Sequence, residues 1–553
     1  MQIKVLTLFL VFMCGTSPFL FSQTSPALLY GTYLGSIGTQ TNVHSTLLPD
    51  GSIILFASTQ GAEDLATAGA FMEQTQGGYD CWLTKLNADG TVIWSTYFGG
   101  SNNEAAQEVE SDSFGNIYIS GESGSNNLPV TSGAFQETPV GISHPFLAKF
   151  NSNGELIWCT FFDTITSADG IGDLKWSESD QRLYFLGYSF MTGLATSGAY
   201  YDFTGNGTNS LLACFTASGS LIYATYVPSQ FGPNSIAVDP FGQVYLGCNT
   251  NQLVDINFEG AYKSVNEGHD GLVVRMDNAG WPQWGTYFGG DDYDAIYTID
   301  CDAEGAVYFG GSTSSVSEIA TPGAYQSTIV GINEGMVGKF SPDGELVWST
   351  YFGTSSDWDG VSELYWGADN YLYLNMYITL PASLLVSPNT FQPEPGGGSN
   401  DQIIARITVG GVFQWVSFLG GEEWDLTNDI SIMSNGEMLI TGSTGSQNNF
   451  TTANAIQPDL EGLEKAFMMV FDPTYCVYGC TQPDAFNYNV LATCDDGSCL
   501  VPDGNDLNGD GVIDVQDLLL LIEEFGCLSD CLFDLDGDGI VGVQDLIIMM
   551  GEL

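Results

Sequence analysis

The stretch "VIWSTYFGGS" (residues 92–101) returns as "LVWSTYFGTS" (346–355) and "PQWGTYFGGD" (282–291). A phrase that recurs at a nearly fixed interval reports architecture, whereas a catalytic motif stands once per domain. Its anchor aromatics are Tyr30, Trp94, Trp158, Tyr223, Trp284, Trp348 and Trp415, spaced 61 to 67 residues apart, which makes seven copies. Each copy carries further punctuation in the same order. A polar turn runs into an aromatic-rich strand, as in "DSFGNIYISG" (112–121) and "DAEGAVYFGG" (302–311). Then comes "TSGAF" (131–135) or "TPGAY" (321–325), and last an alternating segment closing on a turn, as in "FLAKFNSNGE" (146–155).

These runs are short, alternate apolar with polar residues, and are bounded by Gly-containing turns, the pattern of antiparallel strands. Val109–Asp112 with Asn116–Gly121 predicts one hairpin, and Phe146–Phe150 with Glu155–Phe161 a second, so each copy supplies four strands. Four-stranded sheets repeated radially form a β-propeller. The ends predict a closed ring. The first copy begins with a lone last strand, "LLYGTYLG" (28–35), and the final copy has three strands but stops near Phe471-Asp472. Joining the two fragments completes one blade and removes an exposed edge.

The repeat resembles the SBBP-type repeat of secreted bacterial proteins over residues 27–473. That resemblance implies a seven-bladed propeller and leaves its ligand open, since this architecture hosts many functions. The predicted fold is thus mainly β. A seven-bladed propeller (23–473) is followed by a cysteine-rich module (474–501) and a small α-helical domain with two calcium loops (502–553).

Ahead of the repeats, "MQIKVLTLFLVFMCGTSPFLFSQ" has Lys4, an apolar run and Ser22 before Gln23, and reads as a signal peptide over 1–22. Cys14 opens a lipidation reading, against which Val11-Phe12-Met13 offers no small residue before the cysteine. No other segment is long and apolar enough to span a bilayer, so the expectation is an exported protein, extracellular or associated with the cell surface, with no membrane insertion. The chain has 553 residues with 10 Lys+Arg against 66 Asp+Glu, a net charge of −56. Such a surface repels phosphate backbones, which argues against nucleic acid, and attracts divalent cations.

The cysteines fall into two groups. Cys81, Cys159, Cys214, Cys248 and Cys301 are scattered through blades and read as small buried hydrophobes. Cys476, Cys480, Cys494, Cys499, Cys527 and Cys531 crowd the C-terminal part and read as a disulfide framework in an oxidising compartment. Zinc is the competing reading for the first four, with no His nearby.

The sharpest chemistry lies in "DLNGDGVIDVQD" (506–517) and "DLDGDGIVGVQD" (534–545), which match the calcium-loop pattern twice. A hard cation takes six to eight oxygens, supplied by side chains at loop positions 1, 3, 5 and 12 and a carbonyl at 7. The first set is Asp506, Asn508, Asp510, the Val512 carbonyl and Asp517, with Asp514 at position 9. The second is Asp534, Asp536, Asp538, the Ile540 carbonyl and Asp545. Two calcium ions are therefore expected. Each loop leads into one apolar helix, and this duplicated loop–helix unit resembles the type I dockerin module. By that resemblance Val515, Gln516, Val543 and Gln544 would contact a cohesin-like partner or cell-surface receptor.

Evidence for catalysis is thin. The chain has no G-x-S-x-G and no H-E-x-x-H. Its three histidines, His44, His144 and His269, fall in different blades, as loop histidines with structural roles. A binding or scaffold protein, with carbohydrate among its candidate ligands, is the favoured class. The alternative is a dockerin-tethered enzyme, a polysaccharide-active hydrolase or lyase, or an accessory protein of extracellular polysaccharide catabolism.

Overall fold

A computed structural model describes residues 26–61, 64–162, 170–189, 193–202, 209–227, 229, 233–251, 261–354, 358–379, 386, 390–460, 462–474, 478–479, 494–495, 515–527, 533, 535 and 540–552. Among them are seven four-stranded antiparallel sheets, the blades of a propeller. The innermost strands are Thr39–Leu47, Glu104–Ser111, Gly170–Ser177, Pro233–Val238, Asp294–Cys301, Asp359–Trp366 and Asp425–Ile432. Each touches the inner strand of the next blade, and the last touches the first, so the ring closes.

The closing sheet has the predicted composition. Ala27–Leu34 pairs with Lys465–Asp472, Leu28 opposite Phe471 and Leu34 opposite Ala466. Tyr33 is fully buried there, and its hydroxyl donates to the Ser446 carbonyl at 2.7 Å.

The recurrent phrase forms the outer strand of each blade, and its anchor aromatic joins neighbouring blades. The indole N–H groups of Trp94, Trp158, Trp284, Trp348 and Trp415 donate to carbonyls of Ser152, Ala217, Pro342, Val409 and Pro473 at 2.8–3.1 Å. All five acceptors lie 58 to 61 residues ahead. Under all but Trp415 a turn glycine of the next blade lies beneath the ring. A Cβ on Gly154 would sit 3.0 Å from Trp94, and one on Gly219 would sit 2.8 Å from Trp158. Tyr223 takes the same place over Gly280 without the indole donor.

The polar turns are locked by their first Asp. Asp302 Oδ1 accepts from the Ala306 amide at 2.8 Å, and Oδ2 from the Tyr308 hydroxyl and Lys339 at 3.2 and 3.0 Å. Asp112 does the same with Asn116 and Tyr118.

The glycine pair ending the phrase sits on buried carboxylates. The second glycine's amide donates to an acid on the next inner strand: Gly100 to Glu104, Gly290 to Asp294 and Gly421 to Asp425, at 2.6–2.8 Å. The first glycine packs against an acid of its own blade, Asp80, Asp270 or Asp401. Each of those three acids is fully buried and keeps one oxygen, Oδ1, without a hydrogen-bond partner. Gly99→Ala should therefore be costly: its Cβ would lie 2.0 Å from Asp80 Oδ1 and 2.6 Å from Glu104 Oε2. Asp80 cannot swing away, because its other oxygen is held by the Gln76 and Gly77 amides. Overpacking of this kind costs about 1–3 kcal/mol, readable as a lowered urea midpoint. An unchanged midpoint would mean that the pocket yields.

The scattered cysteines fit the expectation: all five are free, and all but Cys301 are fully buried. Of the crowded set, Cys527 alone has a described side chain, and it is not among the free thiols. Cys476, Cys480, Cys499 and Cys531, the side chain of Cys494, and the pairing of the set lie outside the described residues. No helix among the described residues is long and apolar enough to cross a membrane.

Candidate functional site

The inner strands do not alternate cleanly. Each is interrupted by a register shift against its neighbour, a β-bulge. A bulge adds an unpaired residue and re-aims the side chains beyond it. The residues resuming the register are His44, Glu108, Asp173, Ser235, Thr298, Glu363 and Asp429, one per blade. All but Thr298 line an axial cavity of about 450 Å³. The outer strands keep an aromatic anchor in every blade, whereas the axial position holds five different residue types in seven blades.

The cavity is acidic. Glu108, Asp173, Asp300, Glu363 and Asp429 line it, with Glu110 close by, against Lys175 and His44. Lys175 pairs with Glu110 at 3.0 Å. Asp173 is well held, accepting from the Leu174 and Ile236 amides and the Ser235 hydroxyl at 2.7–3.0 Å. Burial pushes the carboxyls of Glu108, Glu110, Asp173, Asp300 and Glu363 above the usual carboxylate range. Burial alone would lower the His44 imidazole, but Glu108 and Asp429 outweigh it and push it up to about 9.

Sequence reasoning placed the histidines in loops, and the structure corrects this for His44 and His144, which stand in strands. His44 lies in an inner strand, its Nδ1 at 3.6 Å from both Glu108 Oε2 and Asp429 Oδ2. His144 begins a strand of its blade and stacks edge-on against Phe161. His269 lies against the Tyr293 ring and forms a bridge with it.

The predicted calcium ligands are described only in part. Asp506, Asn508, Asp510, Val512, Asp514, Asp534, Asp536 and Asp538 lie outside the described residues. Asp517 and Asp545 stand in the first turns of two helices, α1 (Val515–Glu523) and α2 (Val543–Glu552), and both are buried. Asp545 accepts from the Leu535 and Gly542 amides, each at 2.7 Å. Ile540 is exposed. The helices pack together through Leu521, Val541 and Met549. Val515, Gln516, Val543 and Gln544 are all exposed at the helix starts.

Residues 93–129 match the model of the SBBP family, a β-propeller repeat. No curated protein sequence matches the chain. Among solved structures the chain is similar to a streptogramin B lyase, with 11% identity and TM-score 0.40, over 81% of this chain and 98% of that one. A protein of unknown function from Dyadobacter fermentans matches with 8% identity and TM-score 0.36, over 81% and 99%. The calcium-binding protein regucalcin from Agrobacterium tumefaciens matches with 14% identity and TM-score 0.28, over 63% and 85%.

Proposed function

We propose that this is an exported β-propeller binding protein whose axial cavity receives the ligand and whose C-terminal calcium module attaches it to a partner. One observation carries the reading. The repeat is uniform where blades touch and varied where they face the axis, so the variation serves something at the centre. An acceptor-rich, anionic funnel disfavours anionic ligands and suits a neutral carbohydrate, whose hydroxyls donate to Glu108, Glu363, Asp429 and Asn428.

The C-terminal module fits two calcium ions by the chemistry of its donors, which are oxygens alone. Asp517 and Asp545 are already positioned at the helix starts, and Val515, Gln516, Val543 and Gln544 stand exposed for a cohesin-like partner. Residues 476–553 hold 16 Asp+Glu and no Lys or Arg, so metal uptake and folding of this module are coupled. Calorimetry on the full chain should show two calcium ions bound, with Asp506→Ala and Asp534→Ala each removing one. Absence of calcium uptake would end the attachment reading.

The polysaccharide-active reading is favoured by one feature, the raised carboxyls of Glu108 and Glu363 in a cavity, the state of a general acid. A panel of neutral polysaccharides separates the two. Saturable binding without new reducing ends supports the binding protein, release of reducing ends supports the enzyme, and neither outcome would overturn both.

A further inference from the structure

From the axial geometry we propose a divalent transition-metal site, zinc by preference, formed by His44, Glu108 and Asp429. This is independent of what the cavity otherwise binds and of the C-terminal calcium loops. The three residues hold the same post-bulge position in three successive blades of the closed ring. Their ligand atoms all lie within 4.8 Å of one another.

Several observations point to an ion there. His44 Nδ1 faces both carboxylates at 3.6 Å, beyond hydrogen-bond reach. That nitrogen is shut off from solvent and makes no hydrogen bond within the protein. Zinc holds nitrogen and oxygen donors at roughly 2.0–2.2 Å in a tetrahedron, which sets donors roughly 3.3–3.5 Å apart. Bringing His44 Nδ1 to that spacing from each carboxylate needs only small side-chain movement. The Ser45 amide donates to Asp429 Oδ2 at 2.6 Å, which fixes the direction of that ligand as outer-shell bonds do.

Two further polar atoms of the same cavity, Thr427 Oγ1 and Asn428 Oδ1, are buried with no hydrogen-bond partner, and Thr427 is only 3% exposed. Buried charge is compensated by pairing or by a metal, and here the carboxylates outnumber Lys175 and His44 by three to one. An imidazole with two carboxylates suits zinc better than calcium, which takes oxygens alone. Three protein donors leave the fourth zinc position facing the cavity, open to water or to a ligand oxygen.

The test uses the full chain at pH 8 with calcium held in excess, so that the C-terminal loops are saturated, and titrates in Co²⁺ as a spectroscopic stand-in. One equivalent should bind with the visible absorption of a low-symmetry nitrogen–oxygen site, and Zn²⁺ should displace it. His44→Ala and the near-isosteric Glu108→Gln should each weaken Co²⁺ binding at least a hundredfold with the melting transition retained, while Asp506→Ala leaves it unchanged. Wild-type protein that takes up no Co²⁺ below about 100 μM would overturn the site and leave His44 as a cation between two acids. Uptake that both channel variants match would assign the ion to surface carboxylates and equally overturn it.

Discussion

A chain beginning at residue 36 should lose the cooperative melting of the propeller or melt at least 10 °C earlier. Ala27–Leu34 supplies the outer strand of the closing sheet, seven paired positions against Lys465–Asp472. Its removal would bare that ladder and uncover the side of the blade holding Tyr30, Tyr33 and Leu34, all of them buried. Burying side chains of this size contributes about 1.5–3 kcal/mol each, and the exposed edge invites pairing with other molecules. Tyr33→Ala is the milder version, with an expected loss of about 3–5 kcal/mol by analogy with other buried aromatics, including the bond to Ser446. Light scattering should show concentration-dependent association of the truncated chain. A truncated chain that stays monomeric and melts like its parent would mean that the ring holds without its closing strand.

The second large effect is on pH. Asp294, Asp401 and Asp425 at the blade junctions are each pushed up to about 6, chiefly by burial and further by a neighbouring acid. Asp80, Glu104 and Asp270 move in the same direction for the same leading reason. Between about pH 4 and 6 the folded state therefore holds protons that the unfolded chain has released. Stability falls as pH rises through that window, because the state binding more protons gains as pH drops. Each carboxyl contributes at about 1.4 kcal/mol per pH unit, so three together amount to several kcal/mol. The melting temperature should be higher at pH 5 than at pH 7.5 by roughly 5 °C or more.

Asp401→Asn isolates the cause. Its amide oxygen can keep the bonds from the Gly396 and Gly397 amides, while the NH₂ replaces the orphaned oxygen and removes the repulsion with Asp425. That variant should melt higher than the parent at pH 7.5 and show a shallower pH profile. A parent whose stability is flat or rises from pH 5 to 7.5 would contradict the burial argument.

The ring was legible in the sequence for a physical reason. Blade contacts repeat the same chemistry, an aromatic over a turn glycine in six copies and a glycine pair over buried acids in three, and repetition makes such demands visible. The strand boundaries were less so: the predicted first hairpin strand, Val109–Asp112, extends back to Glu104, because the bulge after Ala106 breaks the alternation that would have marked it. The same irregularity hid the axial residues. His44, Glu108 and Asp429 carry no local motif, and His44 and Asp429 stand near opposite ends of the ring until closure makes them neighbours. One signal was present: in four copies the axial residue, His44, Glu108, Thr298 or Asp429, stands 14 positions after the anchor aromatic.

The order of the closing sheet has a mechanical consequence. Lys465–Asp472, the strand from which the chain leaves the propeller, is not at the edge: it lies between Ala27–Leu34 and Met438–Thr444. Just beyond it the Pro473 carbonyl is held by Trp415 of the preceding blade. A load applied through residues 474–553 therefore runs along a strand clamped on both sides. Both ladders must slide in shear, many hydrogen bonds at once, instead of opening one pair at a time as a peeled edge strand would. A protein tethered from this end would resist pulling best in the sheet where the first and last strands of the propeller meet.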